Sequence, residues 1–341
     1  MSQPIFCVSV RDRKDKFATQ TIIKRTGGKL VAQKQPLNNA SCAHIAKLAE
    51  TYNRLADVKN LKKTATIVET FIVGISAHSS YVKGSNPERL LVEALKAGDH
   101  KAVLDLFAKI ETIISSLPST TANPAINKNY VKVFGPTYDS NQKCASLGLV
   151  DLNFDNFIID ASGSWNLFDY EWCFDFPVPT DLLMGRVLFW SLLRRYQNLV
   201  VMFANKYDLM EVAENLYVPA FVYEKYERIF LNLTNLILAE AHFNNYVLEV
   251  QSNVSDQMGI KPFDTPRKVA GSEIYDKFMA SSPLDALDKL SVEAAKQYEE
   301  ISHLMAVNQD LEQRLNEITH SKAFKYARKL QQTRGRIKGS R

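Results

Sequence analysis

The most informative segment of this chain is Asp151-Leu152-Asn153-Phe154-Asp155-Asn156. It lies inside the strand-like region Leu147–Ile159, and a second strand-like region follows at Trp165–Tyr170. The residues between these regions, 160–164, are of the types that form turns. A further carboxylate, Asp169, lies near the end of the second region. The sequence therefore predicts a β-hairpin with polar side chains near both of its open ends.

The spacing of these polar residues indicates phosphoryl transfer. Asp-x-x-x-x-Asn is the pattern of a kinase catalytic loop, in which the Asp accepts the proton of the attacking hydroxyl and the Asn helps to hold magnesium. A metal-binding Asp follows the hairpin in such sites, because hard oxygen ligands must hold the cation that neutralises the triphosphate. Asp151 is thus the candidate base, Asn156 and Asp169 are candidate metal ligands, and ATP and Mg²⁺ are the expected cofactors. The spacing alone also occurs in ordinary turns, so the hairpin context carries this interpretation.

The longer run Phe168-Asp169-Tyr170-Glu171-Trp172-Cys173-Phe174-Asp175-Phe176-Pro177-Val178-Pro179 resembles a known family. It is similar to the aminoglycoside/choline-kinase branch of the protein-kinase-like fold, where Asp-aromatic-Glu replaces Asp-Phe-Gly. More specifically, it resembles the kinase domain of bacterial bifunctional kinase–methyltransferases that terminate O-antigen polysaccharide chains, and kinase-like modules attached to glycosyltransferases. The resemblance implies an α+β, bilobal protein-kinase-like fold, and it makes Glu171 a residue that assists the metal or orients the acceptor.

The same resemblance assigns roles to residues in the N-terminal region. Lys34 matches the strand lysine that contacts the α- and β-phosphates, and Glu50 on the following helix is the best candidate for its ion-pair partner. Glu69-Thr70-Phe71-Ile72 matches the hinge strand, whose backbone would bind adenine. Ordinary structural alternatives exist for each: an edge-strand lysine, an exposed helical glutamate, and two apolar residues that belong to the core.

Three departures from the family pattern limit what can be transferred. No G-x-G-x-x-G loop precedes Lys34, and the polar stretch Arg11–Lys16 takes the position of the phosphate-covering turn. Leu149-Val150 replaces the usual His-Arg or His-Gly before the catalytic Asp. A methyltransferase signature is absent, so only the kinase half is expected. These departures favour one alternative, a pseudokinase scaffold of a polysaccharide-assembly complex, while the intact candidate site residues oppose it. A kinase for a protein or a small metabolite is a further alternative.

The C-terminal part of the chain has a heptad pattern. Apolar and small residues alternate at spacings of three and four, and Asn308 at a core position suits a register-fixing role. We expect a coiled coil at 284–320 that makes a dimer or trimer, with a single amphipathic helix packed on the body as the alternative. The seam consists of Leu287, Leu290, Ala294, Gln297, Ile301, Leu304, Asn308, Leu311, Leu315 and Ile318.

The last twenty residues are basic. Lys322–Arg341 contains eight basic residues and no acidic ones, so removing these eight from the net charge of +5 leaves about −3 for the rest of the chain. A mildly acidic body does not suit a nucleic-acid partner, and none is expected. Phe324, Tyr326 and Leu330 are interleaved with the basic residues, which suits an anionic membrane surface at about 1 kcal/mol per basic residue. A glycosyltransferase partner and a solvated tail are the alternatives.

The order of the predicted elements gives the domain organisation. Alternating segments at 5–10, 19–24 and 29–34 predict strands, with a hairpin turn at Thr26-Gly27-Gly28. Helical patterns follow, mainly at 86–117 and 181–250. We therefore divide the chain into an N-lobe (1–75), a C-lobe with the catalytic hairpin (76–255), a linker (256–283), the coiled coil (284–320) and the basic tail (321–341).

The composition favours a cytoplasmic protein. The four cysteines are scattered and share no metal-ligand spacing, which is typical of a reducing compartment. No signal peptide and no apolar run of about 18 residues is apparent, so the expected membrane contact is peripheral, on the inner face of the cell membrane. The expected activity is ATP- and Mg²⁺-dependent phosphorylation of a hydroxyl, and the expected acceptor is a cell-surface glycan terminus of the O-antigen or lipopolysaccharide type.

Overall fold

The computed structural model of the chain describes residues 4–10, 12–249 and 260–281. The predicted coiled coil at 284–320 and the basic tail at 321–341 lie outside these residues. The mixed helix and strand content predicted from the sequence is confirmed. No helix among the described residues is both long and apolar enough to cross a bilayer.

The helices and strands within the described ranges have the following bounds. The α-helices are α1 (Cys42–Ala56), α2 (Pro87–Ala97), α3 (His100–Ser116), α4 (Lys128–Phe134), α5 (Thr180–Leu188), α6 (Gln197–Met202), α7 (Ala220–Phe230), α8 (Leu233–Val247) and α9 (Gly271–Ser281). The strands are β1 (Pro4–Val10), β2 (Thr19–Thr26), β3 (Lys29–Pro36), β4 (Thr66–Ile67), β5 (Thr70–Val73), β6 (Ser76–Ser80), β7 (Ser119–Ala122), β8 (Gln142–Ala145), β9 (Gly148–Leu149), β10 (Phe157–Ile159), β11 (Trp165–Leu167), β12 (Cys173–Phe174), β13 (Val178–Pro179), β14 (Leu209–Ala213), β15 (Leu216–Pro219) and β16 (Pro262–Val269).

The N-terminal part is an antiparallel sheet with the strand order β1-β2-β3-β6-β5. The predicted hairpin is confirmed: β2 and β3 pair along their length, from Thr19 opposite Pro36 to Thr26 opposite Lys29. Gly27 and Gly28 have φ values of 57° and 80°, which a tight turn between strands requires and which glycine adopts without strain. The hairpin fixes the register of β3 and hence the direction of each of its side chains.

Helix α1 contacts β3, β5 and β6 of this sheet. Its buried residues recur at the three- and four-residue spacing of one helix face: Ile45, Leu48, Thr51 and Leu55. The start of the helical segment is capped by Asn38, whose side chain accepts a hydrogen bond from the Ser41 amide at 3.1 Å. The helix is thereby held beside the sheet, with its other face exposed.

The sheet continues into the helical part through the segment after β6. Ser85 exchanges two backbone hydrogen bonds with Ile159, at 2.9 and 2.8 Å. Gly84 lies so close to this strand that an added Cβ would be 2.0 Å from the Ile159 carbonyl oxygen. A side chain at position 84 would push the connecting segment away from the β10–β11 hairpin, so glycine is required here for the close approach.

The hairpin predicted around residues 160–164 is present as β10 and β11, which pair from Phe157 opposite Leu167 to Ile159 opposite Trp165. Asp160 stabilises the turn because its Oδ1 accepts hydrogen bonds from two backbone amides of the turn. The first predicted strand is shorter than expected. Residues 150–156 form a loop between β9 and β10, in which the side chains of Asn153 and Asn156 donate hydrogen bonds to the carboxylate and the backbone carbonyl of Asp151.

The helical part packs around α5, all of whose residues from Leu182 to Leu188 are buried. The region 181–250 is mostly helical, as predicted, with one hairpin of β14 and β15 within it. The predicted linker at 256–283 is wrong for its described residues, because they contain β16, which pairs with β14, and α9. Polar residues with Pro and Gly are typical of a linker, but an edge strand tolerates polar residues and proline as well.

Candidate active site

A cavity of about 230 Å³ brings the sheet and the β10–β11 hairpin together. Lys34 of β3 and Asp169 after β11 both line it, so two residues predicted from distant segments share one cavity. Apolar side chains form much of the remaining wall. The lining residues are Thr21, Ile23, Ala32, Gln33, Lys34, Leu48, Thr70, Ala77, Ser79, Ser80, Tyr81, Val82, Ile158, Phe168 and Asp169.

Lys34 is the centre of a charged cluster. Its Nζ lies 3.0 Å from both carboxylate oxygens of Asp169 and 2.7 Å from Oε2 of Glu171. Burial alone would lower the pKa of Lys34, but the two carboxylates outweigh this effect and raise its pKa above the usual range. The ammonium group therefore keeps its charge at neutral pH.

Glu171 is the most buried member of the cluster, with 2% of its side chain exposed. Its Oε1 accepts a hydrogen bond from Arg13 Nη1 at 2.6 Å, and its Oε2, beside Lys34, lies 3.4 Å from His44 Nε2. Burial would raise the pKa of this carboxyl, but Lys34, His44 and Arg13 hold it well below the ordinary value. Glu171 is consequently an ionised partner that positions the lysine.

This arrangement corrects two predicted roles. Glu50 is exposed on α1, whereas the ion pairs of Lys34 among the described residues are with Asp169 and Glu171. Only 2% of the Glu171 side chain is exposed, against 31% for Asp169, so Glu171 fits the ion-pair role predicted for Glu50 better than its predicted role as a metal ligand. Helix α1 nevertheless contributes to the cluster through His44, which lies on an earlier turn.

Of the predicted hinge, residues 69–72, Thr70 lines the cavity, whereas Glu69, Phe71 and Ile72 are exposed at or directly before β5, the outer strand of the sheet. A second segment, Ser79–Val82, also lines the cavity, at the end of β6 and the start of the connection to the helical part. The adenine-binding role of residues 69–72 stays a prediction. Phe71 and Ile72 are apolar residues of an edge strand. The sequence pattern of such a strand is the same as that of a buried strand, so it does not reveal their exposure.

Asp151 lies in the loop between β9 and β10. Its Oδ1 accepts a hydrogen bond from Asn153 Nδ2 at 2.9 Å, and its backbone carbonyl accepts one from Asn156 Nδ2 at 3.0 Å. The pKa of Asp151 is raised to about 7, chiefly by burial; Arg186 opposes the shift, and the negative charges of Asp169 and Glu171 add to it. A carboxyl with this pKa changes protonation state near neutral pH, as a general base does.

Arg186 is a residue of this site that sequence reasoning missed. It is buried on α5, and its Nε donates a hydrogen bond to the Val150 carbonyl at 3.0 Å, directly before Asp151. Its guanidinium also pairs with buried Glu240, which accepts a second hydrogen bond from Trp190 Nε1 at 3.1 Å. An arginine inside the apolar run of α5 was the available signal, because such a charge must find a buried partner.

Replacement of Arg186 by Met is expected to lower the free energy of unfolding by about 3–5 kcal/mol, since it leaves the Glu240 carboxylate buried without its cation. Urea denaturation followed by circular dichroism measures this change. Arg195→Met is the control: Arg195 pairs with Glu88 and Asp155 with 40% of its side chain exposed, so its loss should cost at most about 1 kcal/mol. Equal losses in the two variants would contradict the structural role of Arg186.

The remaining candidate ligands fit a magnesium ion that arrives with a nucleotide. Among the described residues, no group of three or more His, Cys, Asp or Glu side chains could hold a metal ion. Magnesium in phosphoryl-transfer sites needs only one or two protein carboxylates, because phosphate oxygens and water complete its shell. Asp169 presents a side chain that is 31% exposed, and the amide nitrogen of Asn156 is engaged by Asp151, which leaves its oxygen as the ligand atom.

Comparisons with known proteins give weak structural similarities. No protein-family model and no curated protein matches the chain. Among solved structures, the choline kinase LicA from Streptococcus pneumoniae has 15% identity and a TM-score of 0.34, covering 81% of this chain and 92% of that chain. The gentamicin complex of APH(2″)-IIa has 12% identity and a TM-score of 0.28, covering 74% and 93% of the two chains. The streptomycin–ATP complex of the same protein has 12% identity and a TM-score of 0.30, covering 75% of this chain and 92% of that chain. Since scores below 0.5 do not establish a common fold, the interpretation of the site rests on its own geometry.

Proposed function

We propose that the chain is an ATP- and Mg²⁺-dependent phosphotransferase with a protein-kinase-like fold, acting on a hydroxyl group. The observation that carries the proposal is the cavity shared by Lys34 and Asp169. Asp151 and Asn156 are not among the residues that line this cavity. The proposal includes their loop because the charges of Asp169 and Glu171 help to raise the pKa of the Asp151 carboxyl. In this proposal nucleotide, metal and nucleophile meet within one site.

The architecture supports the same proposal. An antiparallel sheet with the order β1-β2-β3-β6-β5 and one adjoining helix, α1, precedes a larger helical part. The connection between them begins after Ser80, and its residues Tyr81 and Val82 line the cavity. In protein kinases the phosphate-binding Lys is on the third strand of such a sheet, and the position of Lys34 on β3 agrees with this.

Each residue of the site would have a separate task. Apolar groups including Ile23, Ala32 and Ile158 would enclose the adenine ring, and the ammonium of Lys34 would contact the phosphates. Magnesium, when bound to Asn156 and Asp169, would supply positive charge against the triphosphate oxygens. The Asp151 carboxylate would orient the acceptor hydroxyl and accept its proton. Positioning and electrostatics provide most of the rate enhancement in such a site.

Turnover should depend on pH because Asp151 acts as a base only when it is deprotonated. Its pKa is raised to about 7, so the active carboxylate should be depleted as pH falls through 7 and should predominate above it. The rate of phosphate transfer from labelled ATP to an acceptor at saturating concentration, measured from pH 5.5 to 8.5, tests this dependence. A flat profile between about pH 5.5 and 7.5 would remove Asp151 from the role of general base.

The acceptor that we propose is a hydroxyl of a cell-surface glycan terminus, of the O-antigen or lipopolysaccharide type. The support is the resemblance of the segment Phe168–Pro179 to kinase domains of chain-terminating enzymes. Transfer of labelled phosphate from ATP to mannose, heptose, small alcohols and protein tests the acceptor class. Transfer to sugars is the expected result. Transfer to protein alone or to small alcohols alone would contradict a glycan acceptor. The absence of both nucleotide-induced stabilisation and turnover would indicate a pseudokinase scaffold.

The proposed surroundings of the enzyme rest on sequence outside the described residues. The heptads at 284–320 support a homo-oligomer, and the basic segment 321–341 supports attachment to an anionic membrane or to a glycosyltransferase partner. Several tails carried by one oligomer would strengthen membrane attachment through multivalency. This arrangement would place a cytoplasmic enzyme at the inner face of the membrane.

A further inference from the structure

The segment Asp12–Ala18, which we name the strap, joins β1 to β2 and reaches the helical part. Its backbone is fixed at the end of α8: the Lys14 amide donates to the Val247 carbonyl at 2.8 Å, and the Glu249 amide donates to the Asp12 carbonyl at 3.0 Å. These two bonds flank an antiparallel bridge between Arg13 and Leu248. The strap is therefore held at both the sheet and the helical part.

Side chains of the strap add to this attachment. Lys14 Nζ donates to the Asn245 carbonyl at 2.5 Å. Phe17 is buried, and its ring centroid lies 5.0 Å from that of Trp172 and 5.1 Å from that of His44. The strap thus packs directly on the residues that surround Glu171, which gives its side chains defined positions near the candidate site.

Arg13 is the strap residue that enters the charged cluster. Its Nη1 bonds to Glu171 at 2.6 Å, on the oxygen opposite to the one that Lys34 uses. The guanidinium lies 5.4 Å from the Trp172 ring centroid, and 18% of the side chain is exposed. Within the described residues, this is the single hydrogen bond that the guanidinium makes, so most of its five N–H donors remain for a ligand.

The charges in the cluster suggest what that ligand is. Arg13 and Lys34 balance Asp169 and Glu171 when no nucleotide is bound. A metal ion that recruits the Asp169 carboxylate would leave the two cations with one carboxylate, and hence with an excess positive charge that suits phosphate. A guanidinium fork matches phosphate oxygens in geometry as well as in charge.

The sequence of the strap points the same way. Its residues are Asp12-Arg13-Lys14-Asp15-Lys16-Phe17-Ala18, with no glycine to allow a close approach of backbone amides to a phosphate. The strap amides at Lys14 and Phe17 are already used in backbone hydrogen bonds. We therefore expect a side chain to provide the phosphate contact from this segment.

We propose that Arg13 is a ligand of the nucleotide polyphosphate, supplied by a fixed strap that takes the place of a glycine-rich loop. This inference rests on the proposed function and adds a binding residue to it. Arg13 and Lys34 approach Glu171 from its two oxygens, so the carboxylate positions both cations for the same phosphate chain. The strap provides this cation without having to close over the ligand.

Isothermal titration calorimetry of the full chain with MgATP and with adenosine tests the inference. Arg13→Gln should weaken MgATP binding by about tenfold or more while adenosine binding stays unchanged, because the lost contact is to phosphate. Arg25→Gln is the matched control: it also removes one positive charge, but Arg25 is exposed at the β2–β3 turn. Arg13→Lys retains the charge without the fork and should show an intermediate loss.

The outcomes separate the inference from the proposed function. MgATP binding by Arg13→Gln within about twofold of wild type would overturn the role of Arg13 alone. Equal losses for MgATP and adenosine would also overturn it, because they would indicate a structural effect. If Arg13→Gln does not fold, as judged by circular dichroism, MgATP binding by Arg13→Lys equal to wild type would overturn the fork contact. Binding of neither ligand by the folded wild-type chain would remove the proposed function itself.

Discussion

Replacement of Asp151 by Asn is expected to slow phosphoryl transfer by about 10²–10⁴-fold, the usual contribution of a positioned general base. The substitution keeps the shape of the side chain and its contact with Asn153, but the amide cannot accept a proton from the acceptor hydroxyl. MgATP affinity should not fall, since Lys34 and Asp169 are untouched. Initial rates with labelled ATP and calorimetric titration together measure the two effects.

Asp155→Asn is the matched control for this prediction, because Asp155 lies in the same loop. Its carboxylate pairs with Arg195 at 3.0 Å, and 37% of its side chain is exposed. An exposed ion pair contributes at most about 1 kcal/mol, so the rate should change by less than about fivefold. Comparable losses in the two variants would mean that the loop is sensitive to any substitution, and activity retained by Asp151→Asn would remove the assigned base.

Replacement of Glu171 by Gln should reduce both the stability of the chain and its affinity for MgATP. The substitution removes the negative charge that lies between Arg13 and Lys34, and it leaves two cations with only Asp169 nearby. Loss of one partner from a buried ion pair costs about 3–5 kcal/mol, and we expect a decrease of this size in the free energy of unfolding. MgATP affinity should also fall, because Lys34 loses the group that positions it.

Glu50→Gln provides the comparison that distinguishes the two candidate partners of Lys34. Glu50 is exposed, so its replacement should change the free energy of unfolding by no more than about 0.5 kcal/mol. Chemical denaturation of both variants at pH 7 measures the difference. A larger loss in Glu50→Gln than in Glu171→Gln would show that the lysine pairs with the α1 glutamate in solution.

The sequence was most informative where local chemistry determines structure. The β2–β3 hairpin followed from alternating residues around Gly27-Gly28, and the β10–β11 hairpin from the turn residues at 160–164. The segment after the second hairpin then provided the family resemblance, and this resemblance assigned Lys34 and Asp169 to one site. Such features depend on short stretches of chain, for which turn chemistry and side-chain spacing are sufficient.

Contacts between distant segments could not be predicted in this way. Arg13 and Glu171 are 158 residues apart, and neither the bridge that brings the strap to Leu248 nor the pair of Arg186 with Glu240 has a sequence spacing that reveals it. Glu50 was selected because it was the helix acid at a suitable separation from Lys34, yet helix rotation turns that position to solvent. Burial and partner choice are properties of tertiary packing, which overrides local pattern.

The exposure of Phe71 and Ile72 and the pairing of the predicted linker could not be foreseen for a related reason. Phe71 and Ile72 have the composition of a buried strand, but β5 occupies the sheet edge and exposes them. Residues 262–269 have the composition of a linker, but they pair with β14. In both cases the sequence gives the tendency to be extended, whereas the neighbouring strands determine whether the segment lies inside, at the edge or outside a sheet.

A crystal structure of the chain with Mg²⁺ and a non-hydrolysable ATP analogue tests the central claim most directly. The analogue is expected in the cavity between β2–β3 and Ile158, with phosphate oxygens in hydrogen-bond contact with Lys34 and the metal ion on Asp169. Binding of the nucleotide at another surface, or occupancy of this cavity without contact to either residue, would contradict the account.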